Sequence, residues 1–287
     1  MIFDQSDNND FQLISKTVKQ LPFCTLLHSS IKSISNARIQ LLKVAKGEYS
    51  VFIDSDDMIS DRYLEKIHNS LKINGYPDVL LVNYQNCVKN KKPTINDVNV
   101  TNDFNAIYDE FLYGAQFASM WRKIFKTNLF KDFDKIDTSI QYGEDWLLTY
   151  YIFNNSKTIF YDRTIFDYQY IQSDASITHT ADVSKAIKMI TIRDRFLPEK
   201  LTKKQILLYS RSKIGLYLYS SIFLLKNGIS YDDFKNFSLE ARESYISIKH
   251  KKIIRGKLLI SFILLLFLRK KYHAIYSMLK KSADKVF

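Results

Sequence analysis

The chain is sparing with the residues that break or staple structure. Among 287 residues there are 7 glycines, 4 prolines and 2 cysteines. So little glycine and proline excludes long flexible or polyproline linkers and collagen-like repeats. Cys24 and Cys87 do not form a CxxC pair, which excludes a disulfide framework and the common zinc ribbons; two free thiols in a reducing compartment is the simplest reading. No apolar run reaches the roughly 18 residues that mark a membrane-spanning helix. Acidic residues are also in deficit: 30 Asp and Glu stand against 42 Lys and Arg, a formal net charge of +12. With 46% hydrophobic and 25% charged residues the composition is that of a globular chain, not a disordered one.

The positive excess crowds the last third, in "EKLTKK", "SIKHKKIIRGK" and "LRKKYHAIYSMLKK". A basic face can meet nucleic acid or anionic lipid. The chain carries neither zinc-finger spacing nor an RNA-binding aromatic strand, so no nucleic-acid partner is expected. Leu258 to Leu268, "LLISFILLLFL", is flanked by Lys257 and Arg269. As a helix it rises about 16 Å, against about 30 Å for a bilayer's hydrocarbon core. It is too short to span. It suits either an interfacial helix, with its cations on headgroups, or a buried core helix.

Where acidic residues do occur, two groups stand out. Tyr49 to Ile53 reads as an apolar strand, and Asp54, Asp56 and Asp57 follow at its end. Three carboxylates this close repel one another, and two remedies are available. A divalent Mn²⁺ or Mg²⁺ takes hard oxygen ligands and shares them with phosphates. Alternatively, the acids and serines of the turn cap the next helix. The second group, Glu144 and Asp145, precedes an apolar helical stretch with Trp146, Leu147, Tyr150 and Tyr151. There the helix dipole alone would favour carboxylates.

Around these groups helix and strand alternate. Ala37, Leu41, Val44 and Ala45 fall at helical spacing before the stop at Gly47. Ser60 or Asp61 can cap a helix with Leu64, Ile67 and Leu71 on one face, and Pro77 to Tyr84 reads as a strand. Residues 89–105 read as a loop, and Phe104, Ile107 and Phe111 mark a helix. "MWRKIFKTNLF" is aromatic and basic together, and "KTIFYD" and "TIFDYQY" read as strands. The alternation predicts an α/β domain with a largely parallel sheet, in which ligands bind beyond the carboxyl ends of strands. Asp54 to Asp57 lie at such an end. Beyond about Asp182 the chain reads as helical. This places a boundary after residue 181, with a second, basic, helical region over 182–287.

In their order and gaps, these residues resemble the family-2 glycosyltransferases of GT-A fold. The matching segments are Ala37-Arg38, Ala45-Lys46-Gly47-Glu48-Tyr49, Asp54-Ser55-Asp56-Asp57, Trp121-Arg122-Lys123-Ile124-Phe125 and Glu144-Asp145-Trp146, with "YIQSDASIT" approximating a late corner. The resemblance implies a Rossmann-like, mostly parallel GT-A domain and inverting transfer of a sugar, from a UDP-sugar to a saccharide or lipid-linked acceptor, in surface-polysaccharide synthesis. It implies Asp145 as catalytic base, with Glu144 and Trp146 toward the acceptor. Asp4, Arg38, Asp54 and Asp56 would lie toward the nucleotide-sugar. Asp56 would ligate Mn²⁺ or Mg²⁺, with Asp54 and His179 as further metal-ligand candidates. A peripheral place on the inner face of the cell membrane would follow from the basic tail. The pattern departs from the family at Phe3, Gln5, Ile39 and Leu41, and Met1 stands directly before what reads as the family's second strand. The alternative is therefore a catalytically impaired, truncated homologue that binds a membrane or a partner.

Overall fold

The computed structural model describes residues 1–5, 8–114, 116–130, 143–172, 201–226 and 232–237, with the single positions 191, 193, 230 and 239. His179, the corner beyond Gln172 and the basic tail with Leu258 to Leu268 lie outside the described residues. The chain divides into two compact units, Met1–Ile107 with Phe117–Ile171, and Tyr108–Gln116 with Gln172–Phe287. The second unit takes up a segment from the middle of the chain.

The first unit opens with β1 (Ile2–Asp4), α1 (Asn8–Val18), β2 (Leu26–His28), α2 (Ile34–Val44), β3 (Tyr49–Val51) and β4 (Met58–Ile59). It continues with α3 (Tyr63–Ile73), β5 (Val79–Val82), β6 (Gln85–Val88) and β7 (Thr94–Ile95). Helix α4 (Phe104–Gly114) begins in this unit, and after it come β8 (Lys123–Lys126), α5 (Glu144–Asn155), β9 (Ile159–Asp162) and β10 (Tyr168–Gln172). The second unit contains α6 (Lys203–Lys226), where Tyr209, Ile214, Tyr217 and Leu224 are buried and Tyr217 packs on Phe237. Among the described residues no helix is long and apolar enough to cross a membrane.

Among the described residues three sheets form: β1-β2, β4-β10-β6-β7 and β3-β8-β5-β9. Strands β1 and β2 are parallel. In the last sheet β8 runs antiparallel to both β3 and β5, and β9 is parallel to β5. Three strands therefore point one way and β8 alone is reversed, the mixed α/β arrangement of a GT-A core. All four residues of β5, Val-Leu-Leu-Val, are buried, as expected of a strand covered on both faces. Leu80 and Val82 pack with Tyr63, Ile67, Leu71, Trp121, Ile124 and Tyr168.

One local detail departs from the sequence reading. The inward face of α3 carries Tyr63, Ile67, Ser70 and Leu71, while Leu64 is exposed, and no side chain caps the helix. Ser60 instead donates through Oγ to Asp167 at 2.6 Å, tying the segment after the acidic turn to the start of β10. In the basic-aromatic segment Trp121, Arg122 and Lys123 are all buried. Arg122 lies between the rings of Tyr84 and Phe117, at 5.1 and 4.8 Å, and donates to the Val82 carbonyl. Lys123 donates from Nζ to the Ser119 carbonyl; burial, with Arg122 and Arg38 nearby, holds its pKa well below the usual lysine value.

Candidate active site

The three acids after β3 have three different environments. Asp57 is held by two groups of β10: the Tyr168 hydroxyl donates to Oδ2, and the Ile171 amide donates to Oδ1 at 2.8 Å. Burial raises the Asp57 pKa against the pull of these two bonds. The same Tyr168 oxygen accepts the Asp54 amide at 3.2 Å, so one buried tyrosine fixes both ends of the turn. Asp54 is half-buried, and its Oδ1 accepts from Arg38 Nη2 at 3.3 Å. Asp56 is exposed and has no hydrogen bond or ion pair among the described residues. The turn therefore secures two carboxylates and presents the third.

Helix α2 delivers Arg38. Ser33 caps it by accepting the Asn36 amide, and its buried face is Ser35, Arg38, Ile39 and Leu42. The apolar spacing had pointed to Ala37, Leu41 and Val44, but Val44 is 41% exposed. The helix is rotated from that reading because its guanidinium is the group with most to gain inside. Arg38 is 4% exposed, sits over the Phe52 ring at 5.8 Å, and meets carboxylates from both acidic groups. Besides Asp54, its Nη1 donates to Glu144 Oε1 at 3.1 Å and to Asp145 Oδ1. A buried charge is stable only when paired and hydrogen-bonded, and here one cation faces three anions.

Glu144 and Asp145 form the first turn of α5, where the helix dipole favours negative charge. Gly143 precedes them at φ +81, in the left-handed region that a residue with a Cβ enters at a cost of about 1–2 kcal/mol. Its carbonyl accepts the Leu147 amide, so the chain turns sharply into the helix. Burial raises the pKa of Glu144 against the opposing pull of Arg38. The Asp145 side chain is 31% exposed, open enough to be reached by another molecule.

The remaining candidates are placed as follows. Asp4, at the end of β1, is buried, with Oδ2 at 2.9 Å from His28 Nδ1, and His28 stacks on Phe11. Trp146 is 2% exposed and stacked on Tyr150, in a helix buried over nearly its whole circumference. Sequence reasoning missed Tyr168 as the clamp of the turn and His28 as the partner of Asp4. The alternation in "YQY" indicates that Tyr168 and Tyr170 share a strand face, but it does not name their contacts. A separate cavity of about 570 Å³ lies at the opposite ends of β3 and β8, lined by Leu42, Glu48, Lys126 and Thr127 among others. It is remote from the acidic groups by strand register.

The residues present fit a divalent cation that arrives with a phosphate-bearing ligand. Asp56 offers an unengaged hard-oxygen donor, and one guanidinium leaves the surrounding carboxylates in negative excess. Among the described residues no group of three or more His, Cys, Asp or Glu is arranged to hold a metal alone. Ligand oxygens would have to complete the coordination.

A mixed α/β sheet with acids at a strand end, facing a second acid pair on a helix start, is the architecture of a GT-A glycosyltransferase. Residues 1–138 match the model of glycosyl transferase family 2. The fold likeness extends further. The crystal structure of Staphylococcus aureus TarS 1–349 aligns at TM-score 0.68 and 17% identity, covering 99% of this chain and 81% of that one. TarS 1–349 in complex with UDP-GlcNAc aligns at TM-score 0.69 and 18% identity, with the same coverage. Its complex with UDP gives TM-score 0.65 and 19% identity, again with 99% and 81% covered. No curated protein matches the chain.

Proposed function

We propose that this glycosyltransferase moves a sugar from a UDP-sugar to a hydroxyl of a saccharide or lipid-linked acceptor, with inversion at the anomeric carbon. The observation that carries the reading is the convergence of Asp54, Glu144 and Asp145 on Arg38, which joins two acidic groups distant in sequence into one site. Asp145, the more open of the helix-start acids, is the base. It takes the proton of the acceptor hydroxyl as that oxygen attacks the anomeric carbon from the face opposite the diphosphate. The bond from that carbon to the diphosphate oxygen breaks, and UDP leaves with the bonding electrons. A single base suffices, because water plays no part in the displacement. Asp56 would hold a Mn²⁺ or Mg²⁺ ion, which when bound offsets the charge that grows on the diphosphate. The binding of UDP and UDP-GlcNAc by TarS supports a uridine diphosphate donor.

The basic, aliphatic sequence around Leu258 to Leu268 supports a peripheral place on an anionic membrane, near lipid-linked acceptors. The test is a panel of UDP-hexoses and UDP-N-acetylhexosamines with Mn²⁺ and a panel of saccharide and lipid-linked acceptors, followed by UDP release and by the anomeric proton of the product. Release that depends on the cation, with an inverted product, is expected. No release from any UDP-sugar, or a product of retained configuration, would overturn the proposal.

A further inference from the structure

We propose that Arg38 is a positioning residue for the base Asp145, holding it in place from below and linking it to the donor-side acid Asp54. This rests on the function proposed above and adds a role for a residue whose resemblance pointed to the nucleotide-sugar itself.

The geometry favours the carboxylates over a ligand as the partners of Arg38. Its side chain is only 5% exposed, and both terminal nitrogens are already engaged: Nη1 by Glu144 and Asp145, Nη2 by Asp54. The guanidinium carbon lies over the Phe52 ring, 5.8 Å from its centroid. Asp145 is different. Its side chain is 31% exposed and sits on the first turn of a helix entered through a left-handed glycine, where backbone geometry alone leaves the carboxylate free to choose rotamers. The hydrogen bond from Nη1 to Oδ1 removes that choice and leaves Oδ2 for the acceptor proton. Lysine is a point charge and cannot reach acids on two sides with two fixed nitrogens, so shape as well as charge is required.

Three single variants and their combination at the two positions decide the matter. Arg38→Met and Arg38→Lys are compared with wild type for UDP affinity by calorimetry with Mn²⁺, and for kcat and KM of UDP release from the UDP-sugar panel. We expect kcat to fall by roughly a hundredfold in Arg38→Met, as for loss of a positioned base. Arg38→Lys should recover part of that loss, while UDP affinity stays within about threefold of wild type. Added to Asp145→Asn, Arg38→Met should cost little more, because both changes remove the same interaction. Independent, multiplying losses would overturn the proposal. So would a tenfold or greater loss of UDP affinity with kcat retained, which would assign Arg38 to the diphosphate. If Arg38→Met fails to fold, Arg38→Lys and its combination with Asp145→Asn give the same discrimination. A wild-type rate in Asp145→Asn alone would instead remove the base assignment, and with it the function proposed above.

Discussion

The two acidic groups solve the same electrostatic problem in opposite ways. In the turn after β3, three neighbouring carboxylates are separated: one goes to Arg38, one to Tyr168 and the Ile171 amide, and one to solvent. At the start of α5, two neighbouring carboxylates are brought together on a single guanidinium, and the helix dipole helps both. The turn is a short loop pinned by a strand, so it can aim each acid separately. The helix start has its directions fixed by the backbone, so it relies on a cation supplied by another helix. The difference matches the division of labour proposed for them. An outward acid in a braced turn suits a ligand-borne cation, whereas an acid held against a buried charge suits proton transfer at a defined point.

The largest effect is expected at the helix start. Asp145→Asn keeps the shape of the side chain but cannot accept a proton at neutral pH, so turnover should fall by roughly a hundredfold or more. Steady-state UDP release measures it; an unchanged rate would make Asp145 structural and turn attention to Glu144. A smaller effect is expected at the turn. Tyr168→Phe removes the hydroxyl that holds Asp57 and the Asp54 amide, and should cost about 1 kcal/mol or more of stability in urea denaturation. Because the turn loses its brace, UDP affinity should weaken in that variant while the acceptor side is untouched.

The smallest effect concerns the segment following the turn. Burial pushes the Asp167 carboxyl up, but hydrogen bonds from Lys66 and Ser60 outweigh it and hold the pKa below the ordinary carboxylate value. A lowered folded pKa means that the folded state binds fewer protons than the unfolded state. Its stabilisation is therefore complete above the ordinary carboxylate pKa and is lost as pH falls through the folded value. Asp167→Asn should lower stability by about 1 kcal/mol at neutral pH. The gap to wild type should close in acid, as read from thermal unfolding at a series of pH values.

Much of this arrangement was legible in the sequence. The strand before Asp54 and the helix after Glu144 follow from apolar runs of the right length bounded by acids, and the order of motifs pointed to the fold. What was not legible has a common cause. Periodicity ranks faces by apolar content, so it turned α2 toward Leu41 and Val44, away from a buried arginine whose carboxylates lie far along the chain. The same blindness hid Lys123, charged by type yet fully buried at the middle of a sheet. The resemblance set Trp146 toward the acceptor from its position beside two acids, while the burial of α5 on nearly all sides is not visible in the sequence. The role of Asp57 depended on Tyr168, a contact that only the pairing of β10 with β4 creates.

The division between the two acidic groups is tested most directly by titrating UDP into the wild type, Asp56→Ala and Asp145→Asn, each with and without Mn²⁺. The account predicts that Mn²⁺ tightens UDP binding in the wild type and in Asp145→Asn to the same extent, and leaves it unchanged in Asp56→Ala. The same Mn²⁺-dependent affinity in Asp56→Ala as in the wild type would contradict it.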